Sequence, residues 1–150
     1  MELLTFGDLI SFYQYFCMNK GLTPVTTREV FNLTRSLRNG VAHENCMFCK
    51  LPANTAIPQR EIMVAVKNLG LFSTSQRQKK LSSRTVLEFT GMLYLYSITV
   101  HGKVREHRIK QLKSFFRGRM IEKKSFFKKN ALFTSTYEFC EKIIDGFFPE

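Results

Sequence analysis

The chain has 150 residues, of which 44% are hydrophobic and 15 are phenylalanine, so it can form one domain with a packed core over residues 1–150. This composition excludes an intrinsically disordered chain. The formal net charge of +11 makes a polyanion the expected partner, with nucleic acid ahead of an anionic membrane.

The beginning of the chain and its most apolar run argue against export and membrane insertion. Glu2 and Asp8 leave no basic region of the kind that begins a secretory signal peptide. The apolar run over residues 86–100 contains polar residues and is shorter than the roughly 18–20 residues that a membrane-spanning helix needs. We therefore expect a cytoplasmic protein with no membrane partner, in which the cysteines are reduced.

Two helices are predicted in the first third of the chain, because apolar residues recur there at steps of three and four. Gly21 ends the first helix, and a capping box formed by Thr26 and Glu29 starts the second near Thr27. Gly40 lies within the second helix and indicates a bend or the close approach of another chain or a ligand. The positions expected to face the core are Leu3, Phe6, Ile10, Tyr13 and Cys17 in the first helix, and Val30, Leu33, Leu37 and Val41 in the second.

The middle of the chain is predicted to alternate between loops and helices. Residues 45–60 contain two prolines and are expected to form a loop, whereas residues 61–71 are expected to form a helix or a short strand. The polar and basic residues 73–83 predict an exposed loop or linker. Residues 84–101 are apolar on nearly all sides, which predicts a long central helix that Gly102 ends.

Positive charge is concentrated in residues 103–129, which hold eleven Lys or Arg and two Glu, a net charge of +9. A helical apolar seam of Ile109, Leu112 and Phe116 underlies these charges. Four phenylalanines of this segment are candidates for stacking on unpaired bases. Core packing is the better interpretation for Phe115 and Phe116, whereas both interpretations stay open for Phe126 and Phe127.

A last helix is predicted after a capping box formed by Ser135 and Glu138, and Gly146 is expected to end it. The periodicity therefore favours an all-α fold.

The stretch around Arg38 combines residues that can handle a phosphodiester. Asn39 and His43 are four residues apart and share a helix face, and Arg38 has a side chain long enough to reach that face. RNA carries its own nucleophile, the 2′-hydroxyl, so cleavage needs a base, an acid and positive charge on the phosphoryl oxygens. One motif supplies one histidine, and two protomers of a homodimer would supply both proton-transfer groups.

The sequence SLRNGVAHENCMF, with LLTFGDLISFYQYF upstream, resembles the C-terminal part of the abortive-infection (Abi) family over roughly residues 1–51. That family belongs to the HEPN superfamily of all-α bundles, many of which are metal-independent endoribonucleases. The resemblance implies an HEPN-like bundle, and catalysis by Arg38 and His43 with Asn39 as their polar companion. The charge of residues 103–129 adds a basic C-terminal helical extension to the predicted bundle.

The resemblance also implies a setting and partners. It implies a toxin or effector of phage defence or of a toxin–antitoxin system, acting as a homodimer on RNA without a metal or another cofactor. An antitoxin, or a chain that supplies the family's N-terminal region, is a further expected partner. The residues expected to hold the RNA are Arg35, Lys103, Arg105, Arg108, Lys110, Lys113, Arg117, Arg119, Lys123, Lys124, Lys128 and Lys129.

Three alternatives stay open at the level of sequence. The first is a non-catalytic HEPN module that binds RNA or regulates a toxin. The second is a zinc site formed by His43, Cys46 and Cys49, which needs a fourth ligand from elsewhere in the chain. The third is a basic amphipathic helix that lies on a membrane surface.

Overall fold

The structure is a computed structural model that describes residues 5–44, 46–47 and 51–149. All regular secondary structure in these ranges is helical, which confirms the predicted all-α class, and none of their helices has the length and apolar character needed to cross a membrane. The helices are α1 (Phe6–Lys20), α2 (Arg28–Ala42), α3 (Arg60–Asn68), α4 (Thr74–Leu81), α5 (Arg84–Thr99), α6 (Gly102–Arg117), α7 (Arg119–Glu122), α8 (Lys124–Phe127) and α9 (Ala131–Phe147).

The centre of the fold is the antiparallel pair formed by α2 and α5. Val30 and Leu33 of α2 are buried, and a Cβ atom at Gly91 of α5 would lie 2.7 Å from the Cδ1 atom of Leu33. The two helices approach this closely because residue 91 has no side chain. The predicted central position of the long apolar helix is confirmed, since α5 is buried on several sides.

Helix α1 packs on α2 through the apolar stripe that its spacing predicts. Ile10 and Cys17 are buried, and Tyr13 packs edge-on against Phe31 with ring centroids 5.6 Å apart. Leu3, which belongs to the same predicted stripe, lies outside the described residues.

Helix α2 begins where predicted, but the predicted capping box of Thr26 and Glu29 is wrong. Thr27 is the N-cap residue and makes no side-chain hydrogen bond to its own helix. The hydroxyls of Thr26 and Thr27 instead donate to the Glu61 carboxylate at 2.7 and 2.8 Å, and the Tyr94 hydroxyl donates to it at 3.0 Å. Burial raises the pKa of Glu61, but these hydrogen bonds outweigh it and lower the pKa below its ordinary value.

The region predicted to be a loop over residues 73–83 contains a helix, α4. Ser73 and Gln76 form a capping box, in which the Ser73 hydroxyl accepts from the Gln76 amide at 3.2 Å. Arg77 and Leu81 are its buried residues, and the Arg77 guanidinium donates to the Phe72 carbonyl. This helix was not predicted from the sequence, because one of its two buried side chains is an arginine and the apolar stripe is therefore incomplete.

Helix α9 begins earlier than predicted. Asn130 is its N-cap residue and accepts a hydrogen bond from the Phe133 amide at 3.1 Å, so the predicted capping box of Ser135 and Glu138 is wrong. Gly146 lies inside α9 and does not end it. Because α9 returns to the core, the basic segment 103–129 connects two core helices and is not a terminal extension.

The basic segment folds into α6, α7 and α8. Its predicted apolar seam is confirmed, because Phe116 is buried and Ile109 and Leu112 pack against the core. Gly102, which was expected to end the preceding helix, begins α6 with a left-handed φ of 67°. Helices α7 and α8 have no fully buried side chain, and they contact the rest of the fold through the partly buried Met120 and Phe127.

Candidate functional site

The residues Arg38, Asn39 and His43 lie at the carboxyl end of α2. Arg38 is exposed and Asn39 is partly buried, and the Arg38 Nη1 atom donates a hydrogen bond to the Asn39 Oδ1 atom at 3.2 Å. His43 is the C-cap residue, with a φ of −100°, and is exposed. All three side chains therefore reach the surface.

Within one chain the motif brings the side chains of Arg38 and Asn39 into contact. Helical geometry places the Cα atoms of Arg38 and His43 about 140° apart around the axis, whereas those of Asn39 and His43 are about 40° apart. The hydrogen bond directs the Arg38 guanidinium towards Asn39 and leaves both donors of the Asn39 amide nitrogen available. The guanidinium and the amide thus form a donor surface suited to an oxyanion.

Gly40 is close to another part of the same chain. The Met47 Sδ atom lies 3.0 Å from the position that a Cβ atom at residue 40 would occupy. The close contact at this glycine is made by Met47 of the same chain, whereas the approach of another chain or a ligand stays a prediction. Val41, which was predicted to face the core, is 65% exposed, because it lies beyond the turn of α2 that pairs with the start of α5.

Sequence reasoning missed a buried carboxylate beneath the motif helix. Glu88 of α5 accepts hydrogen bonds from the Ser36 Oγ atom at 2.5 Å and from the Arg84 Nε atom, and the Arg84 Nη2 atom also donates to Ser36 at 3.2 Å. Ser36 and His43 are seven residues apart and share a side of α2. The partly exposed Arg84 is thus held against α2 at Ser36. The feature of the sequence that could have indicated this ion pair is the spacing of Arg84 and Glu88, which are four residues apart in an apolar helix.

Arg35 lies against the beginning of α1. Its guanidinium carbon is 3.1 Å from the position that a Cβ atom at Gly7 would occupy. The pKa of Asp8 is lowered mainly by hydrogen bonds with Thr5, and the positive charge of Arg35 lowers it further. A role for Arg35 in RNA binding stays a prediction.

Three predicted RNA-binding residues of the basic segment contact the C-terminal part of the chain. The Arg117 Nη2 atom donates to both carboxylate oxygens of Asp145 at 2.8 and 2.9 Å, and the Lys113 Nζ atom lies 3.4 Å from the same carboxylate. The Arg105 guanidinium lies 5.1 Å from the centre of the Phe148 ring. These contacts hold α6 in place. The other predicted cations of the segment are exposed: Lys103, Arg108, Lys110, Arg119, Lys123, Lys124, Lys128 and Lys129.

The four phenylalanines of the basic segment divide into two kinds. Phe116 is buried, as predicted, and Phe127 stacks on Phe133 with ring centroids 4.1 Å apart. Phe115 was predicted to pack in the core, but it is 46% exposed, and Phe126 is 77% exposed. Phe115 and Phe126 therefore present aromatic surface to solvent among cations.

The motif helix and the basic segment meet at an apolar cavity of about 170 Å³. Leu37, which precedes Arg38, and Met120, which follows Arg119, both line this cavity together with Phe89. The fold thus makes two regions that are far apart in sequence adjacent to one another.

Three of the four cysteines lie in the described residues. Cys17 and Cys140 are buried, and burial raises the pKa of the Cys140 thiol to about 12. Cys46 is exposed, and Cys49, which the zinc alternative requires, lies outside the described residues. Elsewhere, in the ranges that the structure covers, no three His, Cys, Asp or Glu side chains are grouped as metal ligands.

Comparisons of the chain with protein-family models, with curated proteins and with solved structures found no match. The likeness to the Abi family therefore rests on the motif and its flanking residues. The chemistry of the site is read from its own groups, which are a guanidinium, an amide and an imidazole at the end of one helix.

Proposed function

We propose that this chain is a metal-independent endoribonuclease that cleaves RNA through attack of the RNA's own 2′-hydroxyl group. The observation that carries the proposal is the group of Arg38, Asn39 and His43 at the end of α2, in which Arg38 and His43 are exposed and Arg38 is hydrogen-bonded to the partly buried Asn39. The net charge of +11, most of it in residues 103–129, supports a polyanionic substrate.

In this proposal the protein supplies proton transfer and charge stabilisation. Arg38 holds the non-bridging phosphoryl oxygens through its planar set of donors, and Asn39 donates through its amide nitrogen. His43 takes the proton of the 2′-hydroxyl or gives one to the departing 5′-oxygen, as imidazole groups do near neutral pH. The exposed cations of the basic segment hold the rest of the RNA.

A homodimer completes the proposed site. In-line cleavage places the base and the acid on opposite sides of the phosphorus, and one chain provides one histidine of this motif. A second copy provides the other imidazole, in agreement with the composite site that the HEPN resemblance implies. Leu9, Phe12 and Phe16 share an exposed face of α1, and an apolar surface of this kind supports association.

The same resemblance supports the biological setting. We propose a toxin or effector of phage defence, or of a toxin–antitoxin system, whose further partner is an antitoxin or a chain that supplies the family's N-terminal region.

The second candidate function is a non-catalytic HEPN module that binds RNA or regulates a toxin. The setting of His43 favours it, because no side chain among the described residues hydrogen-bonds the imidazole and fixes its orientation. Such a module keeps the basic surface and lacks cleavage.

An RNA cleavage assay in the presence of a chelator separates the two candidates. We expect wild-type protein to cleave and His43→Ala to be slower by at least about 100-fold, because a proton-transfer group is lost. His101→Ala is the matched control, since His101 is also an exposed histidine at a helix end, and its rate should equal that of wild type. Cleavage that survives His43→Ala, or that stops on chelation, would contradict the proposal.

The dimer is tested by dilution. The rate per chain should fall as the protein is diluted through the concentration at which light scattering shows dimers dissociating into monomers. A constant rate per chain for a monomer would contradict the composite site.

A further inference from the structure

An open cleft of about 580 Å³ runs along the solvent side of α6. Phe116 and Leu112 face the core from the opposite side of this helix. Lys113 and Arg117 face Asp145 from a third side. The residues that line the cleft are His107, Lys110, Gln111, Ser114, Phe115 and Arg119.

Phe115 is the aromatic member of this cleft. Its ring is nearly half exposed and packs edge-on against Phe116 at a centroid distance of 6.1 Å. Phe116 is itself held in the core by stacking on Tyr137 at 5.5 Å. The Phe115 ring thus has a supported position and an exposed surface, which are the properties of a stacking platform for a nucleobase.

The polar groups of the cleft suit a phosphate and the edge of a base. Lys110 and Arg119 are exposed cations, and none of the six lining residues is acidic. The Arg108 Nη1 atom donates to the Gln111 side-chain oxygen at 3.0 Å, which leaves the Gln111 amide nitrogen to donate to a ligand.

A neighbouring pocket between α7, α8 and α9 lacks this character. Its lining includes Glu138 and Glu141 next to Lys124, so the carboxylates oppose the binding of a phosphate. The cleft on α6 is therefore the better anion site of the two.

We infer that the cleft on α6 binds an unpaired nucleotide of single-stranded RNA, with the base stacked on Phe115 and the phosphates held by Lys110 and Arg119. The inference rests on the proposed function for the identity of the polyanion, and it adds that the RNA is single-stranded where it meets this cleft. A duplex keeps its bases stacked on each other and offers no base face to Phe115.

Binding to a fluorescent 2′-O-methyl RNA oligonucleotide tests the inference, because this probe lacks the nucleophilic hydroxyl and stays intact. We expect Phe115→Ala to weaken binding about tenfold and to leave its salt dependence unchanged, since a stacking contact carries no charge. Lys110→Ala should weaken binding and reduce the salt slope by about one. Tyr15→Ala is the matched control, because Tyr15 is an exposed aromatic residue of α1 that lies outside the cleft and the basic segment, and its affinity should stay within about twofold of wild type.

A second comparison uses different ligands with the same proteins, after circular dichroism has shown that each variant is folded. An abasic site at the bound position should remove the difference between wild type and Phe115→Ala, and a duplex of the same sequence should bind more weakly than the single strand. Affinity unchanged by Phe115→Ala, equal binding of the duplex, or no binding of the oligonucleotide would overturn the inference. Equal Phe115-dependent binding to vesicles of anionic lipid would assign the cleft to a membrane surface and would also overturn it.

Binding and cleavage fail separately. If the wild-type protein does not cleave RNA but binds the probe in a Phe115-dependent manner, the proposed nuclease activity is wrong and the proposed nucleotide site on α6 stands. If the protein cleaves RNA but Phe115→Ala leaves its RNA affinity unchanged, the proposed nucleotide site on α6 is wrong and the proposed nuclease activity stands.

Discussion

The α2–α5 interface and the basic segment 103–129 use charged side chains in opposite ways. In the interface, Glu88 is 1% exposed and joins Ser36 to Arg84, so its charge is balanced inside the fold. In the basic segment most cations face solvent. Arg84 therefore links two helices, whereas most cations of the basic segment can face a ligand.

The same division recurs within α6. Phe116 is buried and its neighbour Phe115 is not, while Arg117 binds Asp145 and Lys110 lines an open cleft. The angle of each residue around the helix thus separates the groups that hold α6 to α9 from those that can meet a ligand.

The largest expected effect is the difference in stability between variants of Phe116 and Phe115. Phe116→Ala should lower the free energy of unfolding by about 3 kcal/mol, because it removes a buried ring that stacks on Phe89 and Tyr137. Phe115→Ala should lower it by less than about 1 kcal/mol, since much of its ring is already exposed. Urea unfolding followed by circular dichroism measures both. Equal losses would show that α6 has no separate core and solvent faces.

A smaller loss is expected at the interface itself. Glu88→Ala should lower the free energy of unfolding by about 2 kcal/mol, because Ser36 loses its acceptor, whereas Arg84 is 43% exposed and regains water. Glu122→Ala in the basic segment is the control and should cost less than about 0.5 kcal/mol, since Glu122 is exposed. Urea unfolding again measures both free energies of unfolding. Similar losses for the two variants would show that the buried and the exposed glutamate contribute equally to stability.

The ion pairs between α6 and α9 allow a test of which cations serve RNA. Asp145→Asn should cost only about 0.5 kcal/mol of stability, because the Asp145 side chain is 40% exposed in both pairs. It should tighten RNA binding about twofold to threefold, because Lys113 and Arg117 lose a competing carboxylate. Glu29→Gln changes the net charge equally but lies on α2, and should leave the affinity unchanged. Weaker RNA binding by Asp145→Asn would mean that the pairs orient the RNA surface.

The smallest effect is expected in acid at the beginning of α2. The folded-state pKa of Glu61 is below its ordinary value of 4.5, so its contribution to stability is complete above that pH and is lost as the pH falls through the folded pKa. Urea midpoints of wild type and Glu61→Gln should therefore differ at pH 7 and converge at low pH. A difference that stays constant with pH would show that the ionised carboxylate is not what holds Thr26 and Thr27.

Several features could be predicted because they depend on local spacing. The helical class, the central position of α5 and the buried seam beneath the charges of α6 follow from apolar residues at steps of three and four. The shared helix face of Asn39 and His43 follows from the same periodicity, whereas the end of α2 at Ala42 was not predicted and the catalytic role of the motif stays a prediction. Helix α4 escaped prediction because a buried arginine occupies part of its apolar stripe.

The sequence by itself determined where the charge is concentrated and which residues can share a helix face, since both depend on neighbours along the chain. Only the tertiary structure decided that Thr26 and Thr27 bind Glu61, that Glu88 lies beneath the motif, and that Asp145 engages two of the expected RNA-binding cations. These partners are far apart in sequence. The spacing of a carboxylate residue along the chain does not show whether its side chain faces water or a buried hydroxyl. The packing of α2, α5, α6 and α9 therefore determines which polar groups remain available to a ligand.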